Sequence, residues 1–303
     1  NYTLSDFKID HFQSEYPLNY LMHPSLKRKT QSYKDVFQCS WNVESSFNQS
    51  CSLLIYSKDA IELSEKQIKT LIDLISFVLS FNNKDDELKI HFVPLKDKKK
   101  IHKNQYHLTN KNINSGSYRP NEIFVYRYEE CLKVLIHECI HHLHFSNPSL
   151  FSEDLTDYYI EKYSLNVHKI NMNEAYTEIF ARLFYCFYLS NKSYQRFLSL
   201  LSSESTFSHY QANKILLFNE RTNVNKETNT ISYYLVVSEL FYNLHHFLQF
   251  CFQKNHPIFY LSNQTNFNQM IFSLQKIKKR KISTNQKNYL TMRMTVNNHP
   301  YFP

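Results

Sequence analysis

The sequence predicts an α+β fold, with a small mixed sheet toward the N-terminus and a mainly helical C-terminal lobe. Three observations carry this expectation. Short strand-like runs cluster between residues 51 and 127, one amphipathic helix interrupts them, and helical periodicity then continues almost without a break from residue 128. With 303 residues, 42% of them hydrophobic, the chain can bury a substantial core in one large domain or in two lobes around a cleft.

Taken in order, residues 1–48 are mixed and poorly periodic, and read as an N-terminal extension. Residues 51–57 (CSLLIYS) read as a strand. Ser64 then opens a helix through a capping box with Gln67, and Ile68, Leu71, Ile72, Leu74, Ile75, Val78 and Leu79 follow at helical spacing. Residues 88–95 (LKIHFVPL) alternate like a strand, 96–117 read as a loop or an irregular hairpin, and 122–127 (EIFVYR) are strand-like again. The sheet lobe is therefore placed at 49–146, ending in the helical segment 128–145. A helical lobe follows at 147–280, with helices expected at 171–191, 194–201, 210–218 and 232–254, and then a loose polar tail at 281–303.

Composition narrows the function classes. The formal net charge is +8, with a pI near 9.0, yet the basic residues are scattered apart from runs at 96–100 and 276–281. Neither run is interleaved with aromatics as a base-stacking platform requires, so they read as solvated surface, with nucleic acid as the alternative partner. The six cysteines include no CxxC pair, which predicts buried free thiols in a reducing, intracellular compartment. The first ten residues lack the charged start and apolar run of a signal peptide. The longest apolar stretch, 231–252, carries Glu239, Asn243, His245, His246 and Gln249, so no membrane span is expected.

The informative segment is Val134-Leu135-Ile136-His137-Glu138-Cys139-Ile140-His141. Residues four apart share a helix face, so His137 and His141 can bind one ion from successive turns. Glu138, offset by one residue, can lie beside the metal and take a proton from a bound water, whose pKa zinc brings from about 15.7 toward 7. His144 lies seven residues beyond His137, about 10.5 Å along a helix axis, too far to share that ion. Glu174, on the next long helix, is the expected third ligand, since two His and one Glu form an open catalytic zinc set. Glu178 lies one turn further. It can accept the spare ring N–H of a ligating histidine, exchange roles with Glu174, or pair with Arg182 at i+4.

The motif HExxH, followed by Asn173-Glu174-Ala175 and the acid Glu178, resembles the gluzincin metallopeptidases typified by thermolysin. That resemblance implies a zincin-like fold, Zn2+ held by His137, His141 and Glu174, and a peptide or protein substrate. Glu178 stands where the family has Asp, and the gap to the third ligand is longer than in thermolysin. A longer stretch, from Asn114-Ser115-Gly116 through residues 123–127, Glu129-Glu130 and Lys133-Val134, also resembles predicted metallopeptidases of large DNA viruses. The resemblance further implies that the 114–127 region pairs with extended substrate. It also implies that a His or Tyr of the helical lobe stabilises the oxyanion. His209 and Tyr210 are the candidates, followed by Tyr242, His245 and His246. A structural or virion-associated protein with a non-catalytic zinc site is the competing class.

Overall fold

The structure, a computed structural model, describes residues 9–17, 22–44, 48–59, 62–81, 86–101, 105, 108–221, 228–280, 282 and 289–302. In chain order it begins with β1 (Ile9–Gln13), α1 (Pro24–Thr30), β2 (Asp35–Glu44), β3 (Asn48–Ser57), α2 (Glu65–Leu79) and β4 (Glu87–Phe92). A short α3 (Asn110–Ile113), the hairpin β5 (Gly116–Arg119) and β6 (Glu122–Val125), and α4 (Cys131–His142) follow. The remainder is helical: α5 (Asp154–Tyr163), α6 (Met172–Ser190), α7 (Tyr194–Arg221), a π-helix at Ile231–Val236, α8 (Val237–Tyr242), α9 (Leu244–Lys254) and α10 (Gln264–Ser273). The chain is thus α+β, as the sequence predicts. None of its described helices is long and apolar enough to cross a membrane.

The chain divides into two compact units. The first comprises Asn1–Lys98, Asn114–Leu143 and Asn298–Pro303. Its six-stranded sheet has the order β1-β2-β3-β4-β6-β5. Pairing is antiparallel from β1 to β3, parallel at β3–β4 and β4–β6, and antiparallel again at β5–β6. A parallel neighbour needs a crossover, and α2 supplies the one from β3 to β4. The capping box forms as expected: Ser64 Oγ accepts from the Gln67 backbone N–H, and Gln67 Oε1 accepts from that of Ser64. α2 then buries Ile68, Leu71, Ile72, Leu74, Ile75, Val78 and Leu79. Each such side chain contributes about 1.5–3 kcal/mol when removed from water. A second cluster joins Leu26 of α1 to Val36, Tyr56, Phe124 and Tyr126.

Residues read as an N-terminal extension therefore supply two strands and a helix. In β2, Cys39, Trp41 and Val43 point inward while Ser40 and Asn42 are exposed, a period-two pattern. Trp41 Nε1 donates to Ser76 Oγ of α2 at 3.0 Å, so the ring buries its bulk without stranding its donor.

The second unit comprises Lys99–Ile113 and His144–Asn297. Its aromatic core is dense. Phe180 of α6 meets Tyr176, Phe247, Phe259 and Phe145 at centroid distances of 5.0, 5.6, 5.6 and 6.2 Å. α6 ends on Asn191 at φ 49°, a left-handed position that asparagine tolerates better than most residues.

The segments expected at 194–201 and 210–218 are one continuous helix, α7. The serine-rich stretch between them does not break it, because Ser203 and Thr206 turn their hydroxyls back onto the carbonyls of Ser199 and Ser202. The segment read as a loose tail is also packed where it is described. Met292, Met294 and Thr295 are buried, Thr291 bridges to Lys100, and the Tyr234 hydroxyl donates to the Met292 carbonyl at 2.5 Å.

Candidate metal centre

Helix α4 holds its polar residues inside an apolar sleeve. Leu135, Ile136, Cys139 and Ile140 are at most 1% exposed, which fixes the helix rotation and so the direction of its other face. On that face His137 is buried and His141 half-buried. Their Nε2 atoms approach to 3.1 Å, with ring planes 74° apart. A tetrahedral ion with Zn–N bonds of about 2.05 Å holds two nitrogens roughly 3.3 Å apart, so this spacing fits a shared cation. Glu138 is buried at 6% exposure. The buried Tyr126 lies within its electrostatic reach: burial raises the phenol's pKa, and the Glu138 charge adds to the rise.

The strand before α4 comes unusually close. A Cβ added at Gly116 would lie 2.7 Å from Val134 Cγ1, 2.9 Å from Glu138 Oε1 and 2.9 Å from the Phe124 carbonyl oxygen. The chain's single glycine therefore lets β5 pass against the helix that carries the histidines. Two residues on, Tyr118 packs its ring nearly parallel to that of His141, at 6.5 Å and 15°. His142 has different partners: its Nε2 lies 2.7 Å from Gln49 Nε2 and 3.5 Å from Asp86 Oδ2. His144 lies beyond the last turn of α4, exposed and at φ 53°.

Glu174 sits in the first turn of α6. Asn171 caps that helix, its Oδ1 accepting from the Glu174 backbone N–H at 3.4 Å. The Glu174 carboxylate accepts from the Tyr233 hydroxyl at 2.8 Å, and Tyr233 lies in the π-helix. Wide π turns recur at functional sites, where they re-aim a side chain. Glu178 is fully buried and accepts from Arg182 Nε at 2.8 Å, the i+4 pairing that the sequence offers as one of its alternatives. Arg182 also donates through Nη2 to the Tyr233 carbonyl at 3.0 Å, and its Nη1 lies 3.6 Å from Glu204. One guanidinium thus ties two buried carboxylates to the segment that carries Tyr233.

One ligand atom from each of His137, His141 and Glu174 lies within 4.8 Å of the others, and the three residues could hold a metal ion. His209 and Tyr210 have other surroundings. They lie inside α7 rather than ahead of a helix. His209 stacks on Tyr242 at 6.3 Å and lines a cavity with Ser205, Thr206, Ser238, Tyr242 and Arg280. Burial and the Arg280 charge lower its pKa. The Tyr210 phenol is held above its usual range by burial, with Tyr289 adding to the rise. His245 and His246 are exposed on α9. Tyr233 is the site residue that sequence reasoning misses: a tyrosine pair in an apolar run carries no mark of a carboxylate partner. The chain matches no family model, no curated protein and no solved structure.

Proposed function

We propose that the chain is a zinc-dependent peptidase in which His137, His141 and Glu174 hold the ion and Glu138 is the general base. The observation that carries this reading is the convergence of the three ligand atoms within 4.8 Å, with Glu138 one residue beyond the first histidine. Two nitrogens and one carboxylate oxygen suit zinc and leave a fourth position open. Zinc bound there supplies Lewis acidity and makes a water acidic near neutral pH. Glu138 takes the proton of the attacking water and delivers it to the leaving amine. Glu178, tied to Arg182, steadies the ligands by accepting a ring N–H. An extended peptide adds to the edge strand β5, gripped through backbone hydrogen bonds that tolerate many sequences.

The direct test is elemental analysis of the purified full chain beside His141→Ala. The reading expects one zinc per chain, absent from the variant, with the circular dichroism spectrum unchanged. A wild-type chain that takes up no stoichiometric zinc after zinc loading would end it.

The Tyr233 hydroxyl gives a finer prediction. Tyr233→Phe removes the 2.8 Å hydrogen bond to Glu174, so the ligand loses a partner that orients it. Zinc affinity, measured by competition with a chromophoric chelator, should fall about 10–100-fold. An unchanged affinity would show that Glu174 needs no such support.

A further inference from the structure

The second unit contains a cavity, lined by residues that carry polar groups, that the peptidase reading does not use. It has a volume of about 180 Å³ and is lined by Ser205, Thr206, His209, Ser238, Tyr242 and Arg280. Among the described residues, the lining includes no carboxylate. α7 supplies the first three residues and α8 the next two, while Arg280 comes from the basic run at 276–281. The sequence alone reads that run as solvated surface, with nucleic acid as the alternative partner.

Ser238 marks the cavity as more than a surface dent. It is 1% exposed, and its Oγ has no hydrogen-bond partner. A buried hydroxyl left unpaired is costly, a penalty that a ligand oxygen would remove. The other groups have sorted roles. Thr206 gives its proton to the Ser202 carbonyl, so it can only accept. His209 is hydrogen-bonded to the backbone of Lys278, which fixes the ring at the wall. The hydroxyls of Ser205, Ser238 and Tyr242, with the guanidinium of Arg280, therefore form the donor set.

We propose that this cavity binds a phosphate group, carried by a small phosphorylated ligand. Donors from two helices and one loop approach from different directions, which suits a tetrahedral acceptor. Arg280 provides the charge-assisted contact, and the neighbouring lysines Lys276, Lys278 and Lys279 raise the local positive potential. The volume leaves room for a few atoms beyond the phosphate itself.

Inorganic phosphate is the probe, titrated against the full chain at constant ionic strength, with binding followed by calorimetry and by the 31P resonance. Saturable one-to-one binding is expected, with a Kd on the order of 1 mM. Ser238→Ala and Arg280→Gln should each weaken it about tenfold or more, with unchanged melting temperatures. No saturation, or saturation that both variants retain, would overturn the assignment. Binding lost only when Lys276, Lys278 and Lys279 are replaced together would do the same, since it would reflect general charge attraction.

Discussion

Glu138→Gln is expected to keep its zinc and lose peptide hydrolysis by about 10²–10⁴-fold, or about 2.7–5.4 kcal/mol of transition-state stabilisation. The substitution preserves volume and one carbonyl oxygen but removes the group that accepts the proton. Because Glu138 is buried and lies outside the three-ligand group, metal content should not change. A degenerate peptide library read by mass spectrometry avoids guessing the natural substrate. Cleavage by the variant at the wild-type rate would remove Glu138 from the chemistry. Retained zinc with lost cleavage separates a base from a ligand, which His141→Ala alone cannot do.

The largest effect on stability is expected at Arg182. It is 1% exposed, and it faces Glu178 and Glu204, both fully buried. Replacing it with methionine keeps the volume and leaves two buried carboxylates without their cation. Breaking a buried ion pair from one side costs about 3–5 kcal/mol, a large part of a typical domain's stability. Arg182→Lys should recover only part, because a single ammonium cannot reach Glu178, Glu204 and the Tyr233 carbonyl as a planar fork does. Urea unfolding gives both values; a loss below about 1 kcal/mol in the methionine variant would mean that water already screens the carboxylates.

Much of this was legible in the residues. The capping box at Ser64, the strands β3, β4 and β6, and the helices α4 and α6 announce themselves by period and by start signals. The His137–His141 spacing and the choice of Glu174 follow from helix geometry and ligand chemistry, and the structure gathers the three. Other features were written in signals too weak to read alone. β2 alternates at Cys39, Trp41 and Val43, but sits in an otherwise polar stretch. The serines of 202–208 look like cap residues until their hydroxyls are seen returning to the backbone of α7. A π turn differs from an α turn by one residue in hydrogen-bond register, so the position of Tyr233 is set by packing that periodicity does not encode.

The anchoring of residues 290–297 has a bearing on how the chain acquires its shape during synthesis. Glu204, in the middle of α7, accepts from Thr295 Oγ1 at 2.7 Å and Asn297 Nδ2 at 3.0 Å, and the buried Lys214 ammonium donates to the Thr291 carbonyl. Residue 101 waits on the same segment, its backbone N–H reaching the Leu290 carbonyl at 2.9 Å. Until those late residues leave the ribosome, a buried acid and a buried amine lack these partners, and the helices cannot close over them without cost. Closure of the helical unit therefore waits on residues 290–297, and a nascent chain halted before residue 290 should remain open to chaperones and proteases.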